Sequence, residues 1–300
     1  MNIVVMGAGA IGSLFGALLS KNNNVLLIGR KTHISAIKKS GLTIKGKTCL
    51  NVKINAVTSI DDVTFFPELL ILTVKSYDTE SAILKVRKII NGDTIVLSLQ
   101  NGLDNIDKIK KYIKSEKIIA GVTTQGAFFS KPGVINHTGK GITFLGELSR
   151  YKTKCVVNIT NTFNRSGIET KITEDILREI WIKAVINSSI NPLTALFNCK
   201  NGYLLKNPIL ENVLEKICEE STIIANSFGI ETTDISMIKK TKDVVKSTYD
   251  NYSSMLQCVL QCKKTEIDSI NGKLVEIGKK NGKKTLMNEI MVYSVKSLAK

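Results

Sequence analysis

Residues 2–31 carry the pattern that most restricts how this chain can fold. Asn2 to Met6 is a short apolar run, which is typical of a buried parallel strand. A turn with GxGxxG spacing, Gly7 to Gly12, follows directly, and apolar residues then recur with helical spacing up to a second apolar run at Val25 to Ile28. A strand, a glycine turn, a helix and a strand in this order predict a Rossmann-type α/β domain that binds a dinucleotide.

Each glycine of the turn has its own expected task. Gly7 permits a tight turn, Gly9 lets the backbone approach a pyrophosphate, and Gly12 lets helix and strand pack closely. The following helix adds free N–H groups and the positive end of its dipole. We therefore expect the backbone of this turn to hold the cofactor, through Gly7, Ala8, Gly9, Ala10, Ile11 and Gly12.

The residues after the second strand indicate which dinucleotide is bound. An NAD site has an Asp or Glu there, which accepts a hydrogen bond from the ribose 2′-hydroxyl, whereas this chain has Gly29-Arg30-Lys31. A guanidinium can bind a 2′-phosphate through two hydrogen bonds, and a carboxylate would repel it. The sequence favours NADPH held in part by Arg30. The alternative is that Arg30 is a surface charge and that an acidic residue comes from elsewhere.

Further apolar runs predict more strands of the same sheet, at Leu69 to Val74, Thr94 to Leu99 and Ile118 to Val122. Ligands of open α/β sheets bind beyond the carboxyl ends of the strands. Lys75 and Asn101 follow two of these runs, so they are candidates to line the cofactor site, or else plain polar residues at strand ends. From Gly126 to Gly146, short alternating segments with Gly and Pro predict an antiparallel edge.

The segment from Glu179 to Leu196 predicts a helix that is apolar nearly all round and therefore buried. Lys183, Asn187 and Asn191 recur at i, i+4 and i+8, so they share one face of this helix. A buried ammonium and two buried amides are costly unless a polar group lies opposite them. This stripe predicts a site for a polar small molecule, with Lys183 as the proton donor.

The remaining sequence predicts helices. Thr173-Glu174-Asp175 is typical of a helix start, Pro192 should kink or end its helix, and Asn271-Gly272 indicates a turn. Glu266 could pair with a buried lysine, although periodicity alone favours an exposed helical glutamate. We therefore predict a Rossmann-like domain over residues 1–171 and an all-α domain over residues 172–300.

Composition excludes several classes of protein. The chain is 43% hydrophobic and 23% charged, it has no apolar run long enough to span a bilayer, and Met1-Asn2 leads directly into a strand without a signal-peptide pattern, so we expect a cytoplasmic protein. The net charge of +16 comes from lysines scattered along the chain, with only 6% aromatic residues. This distribution favours a solvated surface that attracts anionic ligands over a nucleic-acid interface.

The cysteines and histidines give little support for a metal. Cys258 and Cys262, at i and i+4, could supply half of a site, but the imidazoles are limited to His33 and His137 and no second half is apparent. We expect reduced thiols and no metal.

At several motifs the sequence resembles the ketopantoate reductase family, over essentially the whole chain. Behind the glycine turn come four matches in order: Lys183-x-x-x-Asn187-x-x-x-Asn191-Pro192-Leu193-Thr194-Ala195, Asn201-Gly202, Ser253-Ser254-Met255-Leu256-Gln257, and Thr265-Glu266-Ile267-Asp268-x-x-Asn271-Gly272. The resemblance implies a Rossmann domain, a helical C-terminal domain and an active site between them. It also implies reduction of 2-dehydropantoate to (R)-pantoate by NADPH, on the route to pantothenate and coenzyme A.

The resemblance also implies roles for single residues. Lys183 resembles the proton donor, Glu266 the family acid near the cofactor ribose and the lysine, and Asn101 a residue between nicotinamide and substrate. The implied substrate ligands are Asn187, Asn191, Asn201 and Ser254. The implied cofactor contacts outside the glycine turn are Arg30, Lys75 and Ala127.

Two other functions remain open at this point: a reductase of another small 2-oxo acid, and a noncatalytic NADP-binding regulator. The intact set of Lys183, Ser254 and Glu266 favours an enzyme. We expect a small-molecule substrate and neither nucleic acid nor membrane as a partner, and we leave a homodimer open.

Overall fold

The computed structural model describes residues 1–298, and within them the chain forms two units. The first comprises Met1–Gln100 and Asn105–Leu177, and the second comprises Asn101–Asp104 and the described residues from Arg178 onwards. Residues 299 and 300, which the predicted helical domain includes, lie outside the described residues. The first unit is a mixed α/β structure and the second is helical, which confirms the predicted fold class.

The strands all belong to the first unit. They are β1 (Asn2–Met6), β2 (Asn24–Ile28), β3 (Leu42–Gly46), β4 (Leu50–Val52), β5 (Asn55–Val57), β6 (Leu69–Leu72), β7 (Ile95–Ser98), β8 (Ile118–Thr123), β9 (Gly126–Lys131), β10 (Val134–Gly139), β11 (Thr143–Glu147) and β12 (Thr170–Ile172). The two strands predicted at the start of the chain are present, and so are the strands predicted to begin at residues 69, 94 and 118. Each lies within one or two residues of its predicted bounds.

The larger sheet has the order β12-β11-β8-β7-β6-β1-β2-β5. The six strands β8, β7, β6, β1, β2 and β5 run parallel to one another, so their carboxyl ends meet at one edge. The chain leaves β1 for β2 and β5 on one side and returns to β6, β7 and β8 on the other. This reversal of strand order beside β1 is where open α/β sheets bind their ligands.

The segment predicted as a single antiparallel edge is divided between two sheets. β9 and β10 pair with each other and join β3 and β4 in a second sheet of order β4-β3-β10-β9, whereas β11 pairs antiparallel to β8 in the larger sheet. The alternation of residues predicts strands, and strands are present. It could not specify the partner, because pairing with β3 joins residues far apart in sequence.

Helices flank the sheets of the first unit and make up the second. The helices of the first unit are α1 (Ala10–Leu19), α2 (Lys31–Ser40), α3 (Thr79–Val86), α4 (Asn105–Lys110) and α5 (Lys154–Arg165). Those that follow are α6 (Ile176–Phe197), α7 (Tyr203–Lys206), α8 (Pro208–Ser227), α9 (Asp234–Ser247), α10 (Ser254–Leu260), α11 (Lys273–Lys280) and α12 (Leu286–Ser297).

Two local predictions in the second unit differ from the structure. Of the end or kink expected at Pro192, the end is wrong, because α6 continues to Phe197 with the proline inside it. Asn271-Gly272 is not a turn, because both residues lie in a π-helix, Asp268–Gly272, that leads directly into α11.

Each unit has its own apolar core. In the first, α1 packs over the larger sheet with Leu14, Phe15 and Leu18 among buried strand residues. In the second, Trp181, Ile182 and Val185 of α6 pack against buried residues of α8 and α11. Among the described residues, no helix is both long and apolar enough to cross a membrane.

Candidate active site

The glycine turn between β1 and α1 is held by close backbone packing. Gly7 has φ of +108°, and a Cβ added there would lie 2.6 Å from the backbone nitrogen of Val74. A Cβ added at Gly12 would lie 2.2 Å from the carbonyl oxygen of Gly7. Both positions therefore exclude any larger residue, as the tight-turn and packing roles require.

Gly9 differs from its two neighbours because the protein itself does not crowd it. A Cβ at Gly9 would come no closer than 4.0 Å to its nearest protein contact, the carbonyl oxygen of Gly7. Gly9 is also the N-cap of α1, where no side chain caps the helix. The turn thus presents uncovered backbone at a helix N-terminus, the arrangement that accommodates a pyrophosphate.

The other proposed cofactor contacts of the first unit lie on separate elements. Arg30 is exposed and is the N-cap of α2, just beyond the carboxyl end of β2. Lys75 is half-buried and lies three residues beyond β6, where a short 3₁₀ turn begins. Ala127 is half-buried in β9, opposite His137 of β10.

Two residues that the sequence analysis did not single out fix these strand ends. The Thr73 hydroxyl donates to the carbonyl oxygen of Gly7 at 2.7 Å, so the end of β6 supports the glycine turn. The Gln100 side-chain amide donates to the carbonyl oxygen of Val74 at 2.9 Å and to the Thr79 hydroxyl at 2.7 Å. Their position directly after apolar strands was the available signal, but a strand-end residue shows no partner until the neighbouring strand is known.

In the second unit, α6 carries the polar stripe. Lys183 and Asn187 are partly buried and Asn191 is 5% exposed, among residues that pack into the core. Over eight residues of α-helix this stripe extends for about 12 Å. Its burial agrees with the prediction that the face serves something other than solvent.

Lys183 and Glu266 form the electrostatic centre of the stripe. Burial lowers the pKa of the Lys183 ammonium from its usual 10.5 to about 8, and the Glu266 carboxylate opposes part of this shift by favouring the charged form. Glu266 is only 7% exposed, so the expectation from periodicity that it is an exposed residue is wrong. A lysine with this pKa is charged at neutral pH and still gives up its proton readily, as a general acid must.

The π-helix after Glu266 also holds the segment that carries Asn101. The backbone N–H of Leu103 donates to the carbonyl oxygen of Ser269 at 2.9 Å. Gly102 has φ of +103°, and a Cβ there would lie 2.9 Å from the Cβ of Ser269. Asn101 is therefore anchored to the same short segment as Glu266, although 165 residues separate them in sequence.

Asn201 lies just before α7, and its segment is hydrogen-bonded to the residues that lead into α10, where Ser254 lies. The Asn201 N–H donates to the carbonyl oxygen of Asn251 at 3.0 Å, and its side-chain amide donates to the Thr248 hydroxyl at 2.8 Å. Ser254 is exposed at the first turn of α10, directly after Ser253.

Two further observations bear on these segments. The Ser253 hydroxyl lies 2.7 Å from the hydroxyl of Thr194 on α6. The side-chain oxygen of Asn201 is buried and has no hydrogen-bond partner among residues 1–298. A buried amide oxygen in this state costs free energy, so a polar ligand is a natural partner for it.

The structure thus gathers all seven proposed substrate and catalytic residues in the second unit, on elements linked by hydrogen bonds or packing. They are Asn101, Lys183, Asn187, Asn191, Asn201, Ser254 and Glu266. Within the described part of the chain, no cluster of three or more His, Cys, Asp or Glu could hold a metal ion.

Family models match both units. The model described as ketopantoate reductase PanE/ApbA matches residues 3–150, and the model of its C-terminal part matches residues 175–299. A curated relative from Pyrococcus abyssi (strain GE5 / Orsay), named 2-dehydropantoate 2-reductase, is 42% identical over 97% of this chain and 95% of its own.

Two solved structures have nearly the same fold. A ternary structure of D-mandelate dehydrogenase with NADH and anilino(oxo)acetate has a TM-score of 0.94 at 28% identity and covers 100% of this chain and 98% of its own. A PanE/ApbA family ketopantoate reductase from Ralstonia eutropha JMP134 has a TM-score of 0.91 at 26% identity, with the same coverage. Fold similarity alone therefore does not distinguish a ketopantoate reductase from a D-mandelate dehydrogenase.

Proposed function

This chain belongs to the ketopantoate reductase family, and we propose that it reduces 2-dehydropantoate to (R)-pantoate with NADPH. The observation that carries the proposal is Lys183, a lysine with pKa of about 8 on a buried helix face that also bears Asn187 and Asn191. Buried ionisable groups with shifted pKa values are typical of sites where a proton is transferred.

The proposed cofactor is NADPH, bound through the glycine turn and Arg30. The uncrowded Gly9 and the uncapped start of α1 suit a pyrophosphate. Arg30, at the carboxyl end of β2, offers a guanidinium in the position where NAD sites have a carboxylate. Lys75 and Ala127 complete the proposed set of contacts in this unit, and Glu266 is proposed to lie near the cofactor ribose.

In this reaction, the bound NADPH supplies a hydride to the ketone carbon. Negative charge then develops on the carbonyl oxygen, and the Lys183 ammonium stabilises it and delivers a proton. The products are the secondary alcohol, the oxidised cofactor and neutral Lys183, which regains its proton from solvent. The Glu266 carboxylate favours the charged form of Lys183 and thereby keeps this general acid protonated before turnover.

The remaining polar residues are proposed to orient the keto acid. The side-chain oxygen of Asn201 can accept a hydrogen bond from a substrate hydroxyl, while Asn187 and Asn191 offer amide groups on the helix face of Lys183. Ser254 and Asn101 are proposed as further substrate ligands. Such contacts raise the rate by holding the reacting atoms in line.

A second candidate function is the reduction of another small 2-oxo acid. It is favoured by the similarity to D-mandelate dehydrogenase, whose structure holds NADH and anilino(oxo)acetate in nearly the same fold. The 42% identity to a 2-dehydropantoate 2-reductase along nearly the whole chain favours the first candidate.

One assay separates these candidates. NADPH oxidation is followed by absorbance with 2-dehydropantoate and with a panel of 2-oxo acids that includes phenylglyoxylate. We expect the highest kcat/KM with 2-dehydropantoate. Preferred turnover of another member of the panel would support the second candidate, and binding of NADPH without any turnover would indicate a regulator.

The pKa of Lys183 predicts the pH dependence of the reaction. The general acid is protonated below its pKa, so kcat/KM should be level on the neutral side and fall as the pH rises through about 8. A lysine with its ordinary pKa would place this fall more than two pH units higher. The profile of kcat/KM from pH 6 to 10.5, with enzyme stability checked at each pH, tests the assignment, and a level profile up to pH 10 would contradict it.

A further inference from the structure

Pro192 removes one hydrogen-bond donor from the middle of α6. In an α-helix the carbonyl of residue i accepts from the N–H of residue i+4. Proline has no N–H, so the carbonyl of Ser188 lacks the i+4 donor that a regular helix would give it. Ser188 is fully buried, and a buried carbonyl without a donor is costly.

The side chain of Asn271 supplies the missing donor. Its Nδ2 donates to the carbonyl oxygen of Ser188 at 3.1 Å and to Oδ1 of Asn288 at 3.0 Å. These two acceptors fix which end of the amide points towards α6. The Oδ1 of Asn271 is then left buried without a hydrogen-bond partner among the described residues. Asn271 is fully buried, and the two hydrogen bonds that its Nδ2 donates explain why its Oδ1 is left without a partner.

Asn271 also lies at the junction of the elements that carry the proposed active site. It belongs to the π-helix Asp268–Gly272, which begins two residues after Glu266 and packs against the Asn101 segment. π-helical turns are rare and occur frequently at functional sites. Ser188 follows directly after Asn187, on the helix that carries Lys183. The bond from Asn271 to Ser188 therefore joins the segment of Glu266 to the helix of Lys183.

We propose that Asn271 is a positioning residue for the reductase reaction, whose side-chain amide replaces the N–H that Pro192 removes and so holds α6 in register with the segment of Glu266. This inference rests on the proposed function, because the alignment serves proton transfer from Lys183. Asn271 itself is not a ligand of substrate or cofactor in this proposal.

The first test is Asn271→Leu, which keeps a similar volume and removes the donor. Misplacement of a catalytic group by about 1 Å costs about 10²-fold, so kcat with 2-dehydropantoate should fall about 10- to 100-fold. The KM for NADPH should change by no more than about threefold, because the proposed contacts of the glycine turn and Arg30 are unaltered.

Ser221→Ala is the matched control. Ser221 is fully buried beside Ser188 and Asn288. Its hydroxyl lies 3.0 Å from the Ser188 hydroxyl and accepts from Nδ2 of Asn288 at 3.1 Å. Removal of the Ser221 hydroxyl weakens the hydrogen bonds around Ser188 and Asn288 but leaves the hydrogen bond from Asn271 to the Ser188 carbonyl. We expect this variant to lose stability and to keep kcat within about twofold of wild type.

Pro192→Ala provides a rescue. An alanine at position 192 restores the backbone N–H that the Ser188 carbonyl lacks, so Asn271 becomes less necessary. In the Pro192→Ala background, Asn271→Leu should reduce kcat by no more than about threefold, since coupled residues have non-additive effects. Should Asn271→Leu alone fail to fold, the double variant decides: a folded and active double variant supports the proposal, and an unfolded one contradicts it.

Urea unfolding of wild type, Asn271→Leu, Pro192→Ala and the double variant gives a readout that needs no turnover. Asn271→Leu should lower the urea midpoint of unfolding more in the wild-type background than in the Pro192→Ala background. If wild-type protein reduces no 2-oxo acid, the proposed function fails, while this difference still tests the bond. If wild type is active, the positioning role is overturned by an unchanged kcat in Asn271→Leu, by an equal loss in Ser221→Ala, or by the absence of rescue.

Discussion

Replacement of Lys183 by alanine should lower kcat by about 10²–10⁴-fold, the usual contribution of general acid catalysis. The variant should still fold, because its neighbours Ile182 and Ala184 keep α6 in the core. It should also still bind NADPH, whose proposed ligands lie mainly in the glycine turn and at Arg30. Steady-state kinetics with 2-dehydropantoate measure the loss, circular dichroism checks the fold, and fluorescence titration checks cofactor binding.

Lys216→Ala is a suitable control for this variant. Lys216 is an exposed lysine of the same unit, paired with Glu219 on the surface of α8 at 2.9 Å, so its loss should leave kcat unchanged. The alanine at position 183 also leaves space in the proposed substrate site, so KM for the keto acid should rise as well. A near-wild-type kcat in Lys183→Ala would remove this residue from the role of proton donor.

Replacement of Arg30 by alanine should raise the KM for NADPH far more than the KM for NADH. A lost charge-assisted hydrogen bond is worth about 1.5–3 kcal/mol, which corresponds to about ten- to more than a hundredfold. Only NADPH carries the 2′-phosphate that the guanidinium is proposed to bind. The measurement is kcat and KM for both cofactors at saturating keto acid, in wild type and in variant.

Lys38→Ala separates the local contact from the general positive field of the protein. Lys38 is an exposed cation of α2, in its last turn and away from the start of the helix where Arg30 lies. Its loss should leave the preference for NADPH unchanged. Equal effects of Arg30→Ala on both cofactors would contradict the assignment of NADPH.

The elements that local patterns determine could be predicted from the sequence. β1 needs only an apolar run, and the Gly7 turn needs only its spacing, because each is defined by residues adjacent in the chain. The helix of Lys183 was likewise predictable from its all-round apolar character, and the structure extends it by only a few residues at its ends.

Features that depend on contacts between distant residues could not be predicted. Periodicity favoured an exposed Glu266, yet the residue is buried and its charge acts on Lys183, which is distant in the sequence. A proline inside a helix normally costs about 3 kcal/mol or more, which favoured an end or a kink at Pro192. The bond from Asn271 offsets part of that cost, and nothing near position 192 in the sequence reveals it.

The short stretch Asn101–Asp104 has a consequence for the ancestry of this chain. Because it belongs to the helical unit while the residues on both sides of it belong to the other, the polypeptide passes from one unit to the other at three places, after residues 100, 104 and 177. A single genetic crossover near residue 177 would therefore pair this helical unit with residues 101–104 of another parent, including the Leu103 N–H that donates to the Ser269 carbonyl. Shuffling of intact units between relatives requires three junctions, which favours inheritance of the two halves as a pair.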